Sequence, residues 1–297
     1  MIINRTFAGI DVGTTTTKAV IINTDEKVLG RFVRRSGANL ASAAMVAFEE
    51  AIAQAGIARD TVQAIVATGY GRKSVPFDKL RAGPFARDTK TEIACHGRGC
   101  YHHFPEAVTV VDIGGQDSKI IKLDAQGRRV GFKMNRKCAA GTGAFLEEIA
   151  HKLDIPIGDF NSLAQAASKT AQIGSYCTVF TATEVLDRIR AGEKVDDIVR
   201  GLFDSVAKRI LEMDTLAGRV IMTGGVVAFN SIVADLLSAR AGINVEIAPH
   251  PQEMGAFGAA LFAKELSSCG HLHPAQAPSG VSQTPEINAK TPRRKAE

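Results

Sequence analysis

Two aspartates, a series of glycine-rich turns and a pair of cysteines are the groups in this chain best suited to chemistry. Segments 11–18 (DVGTTTTK) and 112–119 (DIGGQDSK) each begin with an aspartate at the end of a β-branched run and finish on a lysine. In the turns between, Gly13, Gly114 and Gly115 let backbone amides face outward and approach phosphate oxygens. The hydroxyls of Thr14, Thr15, Thr16 and Thr17 can donate further hydrogen bonds, and Lys18 supplies charge. Asp11 and Asp112, ending their strands, are placed to hold the waters of a Mg²⁺ ion. Gly141-Thr142-Gly143 opens a predicted helix, whose N-terminal dipole favours anions. Thr223-Gly224-Gly225-Val226 again lies between a predicted strand and helix, and Gly255 is the first glycine of the late segment MGAFGAAL. A lone Gly-Gly after a strand is usually only a turn; a series of them in one chain points to a polyphosphate.

The cysteines divide by context. Cys138 lies in NRKCAAGTGAFLEEIA and Cys177 in GSYCTVFTATEVLDRI, each just ahead of a predicted helix. A thiol at a helix N-terminus, and for Cys138 beside Arg136 and Lys137, has its thiolate stabilised, which suits metal ligation. The competing reading is two ordinary buried cysteines. Cys95 and Cys100, in CHGRGC, have His96, His102 and His103 nearby. No second ligand pair completes a zinc spacing, so packing or solvent-facing roles are expected there. Cys269 falls in the C-terminal tail and is expected to be idle.

The elements that must position these groups come from a repeat. Residues 8–31 and 109–132 align at a constant offset of 101, matching Asp11 with Asp112, Gly13 with Gly114, Lys18 with Lys119 and Gly30 with Gly131. Apolar Ile10, Val20 and Ile22 match Val111, Ile121 and Leu123 in the same phase. Each unit reads as strand, tight turn, strand and strand, so the chain is a duplicated lobe. Helices are predicted at 40–55, 143–153, 181–191, 195–216, 230–240 and 253–265, with strands at 62–67, 219–223 and 244–247. Strands alternating with helices give an α/β fold. We divide it into a first lobe at 1–104, a second at 105–266 and a tail at 267–297. The tail is rich in Pro, Ser, Ala and Gln, without periodicity, and is expected to be disordered.

Composition excludes several classes. The chain has 297 residues, is 45% hydrophobic, and is long enough for a large core. Its net charge is +5, and part of that excess sits in the tail at Lys290, Arg293, Arg294 and Lys295. No basic stripe with interleaved aromatics marks a nucleic-acid binder, and Arg34–Arg35 and Arg128–Arg129 read as solvated loop charges. No apolar run approaches the roughly 20 residues of a membrane span, and the N-terminus lacks a signal-peptide layout. A cytoplasmic location is expected, where five cysteines would not form a disulfide framework.

In order and type, DVGTTTTK, DIGGQDSK, AAGTG, MTGGV and MGAFGAAL resemble the superfamily of actin, Hsp70 chaperones and sugar kinases. The likeness runs over residues 7–264 and implies an actin-like ATPase fold, two RNase H-like lobes around a cleft that holds ATP or ADP, with the last two glycine motifs near the adenosine. Within that superfamily, KCAAGTG, CTVF and DIGGQDSK resemble the BadF/BadG/BcrA/BcrD-type ATPases: activators of 2-hydroxyacyl-CoA dehydratases and ATPase subunits of benzoyl-CoA reductases. That resemblance implies one [4Fe-4S] cluster shared by two homologous subunits, with Cys138 and Cys177 as this chain's ligands. It implies a homodimer or a heterodimer with a homologous subunit, an Fe–S dehydratase or reductase component as electron acceptor, and ferredoxin or flavodoxin as donor. ATP hydrolysis would drive the low-potential electron, with Asp11 and Asp112 on Mg²⁺ and its waters and Gln116 orienting the attacking water; the lesser alternative for Gln116 is a turn former. Thr181-Ala182-Thr183-Glu184 and Ala144 depart from the family pattern. A small-molecule kinase of the same fold is the alternative, with Asp117 or Asp112 as its base.

Overall fold

The computed structural model describes residues 5–81, 85–136, 138–174 and 177–268. Most of the predicted tail, with Cys269, and Lys137 lie outside these residues.

The first half is built on strands β1 (Thr6–Val12), β2 (Thr16–Asn23), β3 (Val28–Arg35), β4 (Val62–Thr68) and β5 (Ala86–Thr89). They form one sheet in the order β3-β2-β1-β4-β5, in which β1 pairs antiparallel with β2 and parallel with β4. Helices α1 (Leu40–Ala55), the short α2 (Phe77–Leu80) and α3 (Glu92–His103) complete this half. The second half repeats the plan with β6 (Val108–Ile113), β7 (Ser118–Leu123), β8 (Arg129–Asn135), β9 (Arg219–Thr223) and β10 (Val245–Ile247), ordered β10-β9-β6-β7-β8. Between β8 and β9 come α4 (Gly143–Leu153), α5 (Phe160–Ala166), α6 (Thr178–Arg190) and α7 (Val195–Met213). Then α8 (Gly225–Phe229) and α9 (Ile232–Ala241) precede β10, and α10 (Met254–Ser268) ends the described chain. Two mixed five-stranded sheets with helices make this an α/β protein, as the strand–helix alternation requires.

Local sequence accounts for most of these elements. α1 starts where the Asn39 side chain accepts from the Ser42 amide and stops at Gly56 in the left-handed conformation. β1 is buried along its whole length and sits between two strands, so its residues are apolar on both faces apart from Thr6 at its start and Asp11 at the cleft. Three cores result. One lies between the first sheet and α1, around Ile10, Ile21, Phe48 and Ile65. Another lies between the second sheet and α4–α9, around Ile120, Leu146, Leu202 and Val233. The third joins the two sheets through α3 and α10, with Phe7, Val110, Ile121, Cys95, Cys100 and Phe257 in a single cluster. α10 lies so close to β1 that a Cβ on Gly9 would stand 2.0 Å from the Ala256 carbonyl oxygen.

The sequence-based boundaries at 40–55, 143–153 and 219–223 coincide with α1, α4 and β9. The helix expected at 230–240 is α9, preceded by the short α8, which was not foreseen, and those expected at 181–191 and 195–216 shift by a turn at one end. β5, α3 and α5 were not foreseen. α3 holds Gly97 and Gly99, which lower helix propensity; its tertiary contact with α10 overrides that cost, since a Cβ on Gly258 of α10 would be 1.8 Å from the Cys95 carbonyl oxygen. Cys95 and Cys100 are fully buried, which rules out the solvent-facing option and leaves packing. Arg34 and Arg35 are not loop charges: both end β3, and Arg35 lines the cleft.

Candidate functional site

The pairing registers bring each aspartate opposite its lysine: Asp11 with Lys18 across β1 and β2, Asp112 with Lys119 across β6 and β7. Side chains on directly opposed positions share one face of the sheet, and both pairs close. Lys18 Nζ donates to Asp11 Oδ2 at 3.1 Å, and Lys119 Nζ to Asp112 Oδ2 at 3.2 Å. The turns match as well: the Gly13 amide donates to the Thr16 carbonyl at 3.1 Å, and the Gly114 amide to the Asp117 carbonyl at 2.9 Å.

The duplication extends to a feature without a motif in the repeat. On the parallel side Asp11 pairs with Thr68 of β4, and Asp112 with Thr223 of β9. Each threonine is followed by a glycine at positive φ, +91° at Gly69 and +101° at Gly224. Cβ atoms there would stand 2.4 Å from the Val12 carbonyl oxygen and 2.3 Å from that of Ile113. Only glycine fits so near a neighbouring backbone in that conformation.

The two hairpin turns meet. A Cβ on Gly115 would lie 2.3 Å from Thr15 Oγ1. Around this contact opens a cleft of about 570 Å³. Asp11, Gly13, Thr14, Thr15, Thr16 and Lys18 line it from one side; Asp112, Gly114, Gly115, Gln116 and Gly143 line it from the other. Gly224, Gly225 and Val226 form a further wall, together with the exposed Phe229 ring, Asn230 and Gln252. Gly141, Thr142 and Gly255 lie behind these walls. Gly141 accepts from the Ser118 hydroxyl at 2.8 Å, Thr142 bonds the Ala139 carbonyl, and Gly255 backs onto His96 and Asp11. The N-terminus of α4 is tied to the turn by the Gly143 and Ala144 amides, which donate to the Gly114 and Gly115 carbonyls at 2.9 and 2.8 Å.

The floor is a dense charge network. Asp112 Oδ1 accepts from Thr223 Oγ1 at 3.0 Å and lies 3.4 Å from His96 Nδ1. Lys119 also reaches Asp117 Oδ1 at 2.6 Å and Glu92 Oε2 at 3.3 Å. Burial alone would raise the Asp112 carboxyl, but the charges of His96 and Lys119 and hydrogen bonds from Thr223 and Lys119 outweigh it, holding the group well below the ordinary carboxylate range. Burial would likewise neutralise Lys119, yet Asp112, Glu92 and Asp117 keep its amine charged well above the usual lysine range. The site therefore presents fixed charges and outward amides, suited to holding a polyphosphate. Asp117, placed between Lys119 and Arg136, is already ion-paired. Glu92 and His96 had no role in the sequence analysis; their i, i+4 spacing on one helix face was the available signal.

Cys138 and Cys177 are half-buried and do not line the cleft. Cys138 precedes the turn into α4, Cys177 is the N-cap residue of α6, and α4 packs on α6. Next to Cys177 the side chains of Val179 and Phe180 are exposed. Burial pushes the Cys95 thiol up to about 12 and Cys100 further, so both stay neutral thiols.

Comparison with known proteins adds an independent line. The profile of the BadF/BadG/BcrA/BcrD ATPase family matches residues 8–263. The activator of lactoyl-CoA dehydratase from Anaerotignum propionicum is 38% identical over 264 residues, covering 87% of this chain and 97% of its own. The 2-hydroxyisocaproyl-CoA dehydratase activator of Clostridioides difficile is 36% identical over 258 residues, covering 86% and 93%. A crystal structure of the activator of the 2-hydroxyisocaproyl-CoA dehydratase from Clostridium difficile with bound ADPNP superposes with a TM-score of 0.81 at 32% identity, covering 94% of this chain and 100% of that one. No helix among the described residues is long and apolar enough to cross a membrane.

Proposed function

Since the chain belongs to the BadF/BadG/BcrA/BcrD ATPase family, we propose that it is an ATP-hydrolysing activator that delivers a low-potential electron to a 2-hydroxyacyl-CoA dehydratase component or a related reductase. The observation that carries this reading is the pair of opposed turns, Thr15 against Gly115, over two lysine-paired aspartates in a chain that matches named dehydratase activators. Those relatives are named for activation rather than for phosphorylating a small molecule, and Asp117, held by Lys119 and Arg136, is a poor base for a kinase.

In this reading the lobes are 1–104 and 105–266, with α10 folded back on the first sheet. ATP lies in the cleft with its phosphates on the amides of the Gly13–Thr16 and Gly114–Gln116 turns and at the N-terminus of α4. Gly224, Gly225 and Val226 face the adenosine. Asp11 and Asp112 fit a hydrated Mg²⁺ rather than a directly bound one, because Lys18 and Lys119 already occupy one oxygen of each carboxylate. The ion, when bound, neutralises charge on the phosphates. Gln116, exposed on its turn, orients the attacking water, and Lys18 and Lys119 fix the carboxylates while charge builds on the leaving phosphate.

Cys138 and Cys177 are the ligand candidates. Two half-buried thiols in one chain fit a [4Fe-4S] cluster that takes four thiolates, completed by a second subunit on a twofold axis; the neutral Cys95 and Cys100 do not. The cluster, when bound, supplies a one-electron carrier that ferredoxin or flavodoxin can reduce. The backbone of Cys138 runs through Gly141 into the amides that grip Gly114 and Gly115, so closure on ATP would move a ligand and its helix together.

The test is anaerobic purification. About two iron atoms per chain in a dimer are expected. Cys138→Ser and Cys177→Ser should each lose the iron and keep nucleotide binding. Four irons per chain, or an iron-loaded monomer, would sink the shared site. With ATP and a reductant, the protein should switch on a dehydratase component that stays inactive without ATP. Gln116→Ala should retain ATP affinity and lose hydrolysis roughly ten- to a thousandfold; hydrolysis at the parent rate would reduce Gln116 to a turn former.

A further inference from the structure

α3 enters the site from outside the repeat. Glu92 and His96 stand one helical turn apart and both face the Asp112–Lys119 pair, Glu92 through Lys119 Nζ and His96 through Asp112 Oδ1. The Thr223 hydroxyl spends its hydrogen on Asp112 Oδ1. His96 Nδ1, 3.3 Å from that hydroxyl oxygen, can then bond only as a donor, to Thr223 Oγ1 or to Asp112 itself. Lys119 fixes one oxygen of the carboxylate while His96 and Thr223 fix the other. His96 is 6% exposed, among the more buried polar groups of the molecule. Its far edge is boxed in as well: a Cβ on Gly255 would stand 2.9 Å from His96 Nε2 and 3.2 Å from Asp11 Oδ2. The imidazole therefore fills the space between the two aspartates, and α10 begins with Met254-Gly255 at the point where no side chain fits. Asp11 has Lys18, and among the described residues no histidine is ion-paired with it.

We infer that His96 is a positioning residue for nucleotide hydrolysis: its Nδ1–H, with Thr223, locks the Asp112 carboxylate in the one orientation that accepts hydrogen bonds from the waters of the nucleotide's Mg²⁺. This rests on the reading of the cleft as a Mg²⁺–ATP site. A carboxylate free to rotate would spend part of its time turned away, weakening the Mg²⁺-dependent part of binding and leaving the metal-free part alone. Glu92 acts on the same carboxylate at one remove, by holding Lys119.

The experiment is equilibrium binding of ADP, followed by calorimetry, in excess Mg²⁺ and in EDTA. His96→Leu removes the donor at similar bulk, and His96→Asn keeps an N–H where Nδ1 stands. In His96→Leu the affinity gain conferred by Mg²⁺ should fall roughly tenfold, the worth of one hydrogen bond to a charged group, with affinity in EDTA within about twofold of the parent. His96→Asn should restore most of the gain. Gly255→Ala leaves the histidine in the chain and puts a methyl against Nε2, so it should lose part of the same gain even if His96→Leu does not fold. The inference is overturned if His96→Leu keeps the parent's Mg²⁺ gain, or if His96→Asn loses as much as His96→Leu. A parent protein that binds ADP with no Mg²⁺ gain overturns the inference and the metal reading together; a parent that binds no ADP removes the nucleotide reading beneath them.

Discussion

The two hairpins, β1–β2 and β6–β7, share their register, their Asp–Lys pair, their turn hydrogen bond and the threonine–glycine step on the neighbouring parallel strand, yet they differ in what backs them. The first turn is braced by its own sheet: Ser36, at the end of β3, donates to the Gly13 carbonyl at 2.6 Å and bonds the Thr17 hydroxyl at 2.9 Å. The second is braced by helices, through the α4 amides on Gly114 and Gly115 and through Glu92 and His96 of α3 on the charge pair. A duplicated scaffold has thus been loaded asymmetrically. The half that carries Cys138 has a turn joined to the helix behind it, and the other half has a turn held from within its own sheet.

Removing the lysines should break the symmetry most sharply. Lys119→Met leaves Asp112, Asp117 and Glu92 crowded without the cation they share, with His96 still beside Asp112 and Arg136 beside Asp117, and should cost about 3–5 kcal/mol in denaturant unfolding. Lys18→Met strips only Asp11 of its partner in a slightly more open position and should cost about 1 kcal/mol. Equal losses would show that the charge network adds nothing to the second half.

The glycine pair should restore it. Gly69→Ala and Gly224→Ala each force a side chain into a positive-φ position against a backbone carbonyl, and both should lose about 3 kcal/mol. An intact melting temperature in either would mean that its strand end relaxes freely.

Titration separates the two members of the second half's charge pair by direction. The folded Asp112 carboxyl lies below its ordinary value, so the stability it contributes is present above about pH 4 and is lost as pH falls below it. Lys119, raised by its carboxylates, contributes below about pH 10.4 and its share is lost as pH rises beyond. Lys119→Met should therefore flatten the acid limb of a stability–pH curve as well as lower its plateau; an unchanged acid limb would show that Asp112 owes its ionisation to other groups.

The smallest contrast is between two hydroxyls. Ser36→Ala removes the hydrogen bonds to Gly13 and Thr17, and Ser118→Ala the one to Gly141; each should cost about 1–2 kcal/mol. Only Ser118→Ala should alter iron retention, because Gly141 follows Cys138 by three residues.

What the sequence determined by itself is the local and the periodic. The 101-residue offset between Asp11 and Asp112 predicts two like hairpins, and it does so because strand pairing at a tight turn is a short-range matter: the turn residues set the register, and the register sets which aspartate faces which lysine. α1 and α4 were legible for the same reason, since cap and apolar spacing lie within the helix itself. The tertiary structure decided what depends on approach between distant segments. Glycine-bearing α3 is a helix because α10 packs within touching distance of it, and nothing in the residues 92–103 announces that neighbour. The Thr68–Gly69 step becomes the counterpart of Thr223–Gly224 only when both flank an aspartate in a sheet, at a spacing unrelated to the repeat. His96 and Glu92 reach the floor of the cleft by the same route: an i, i+4 pair is common on any helix, and its meaning comes from the two charged groups, Asp112 and Lys119, that the fold sets against it.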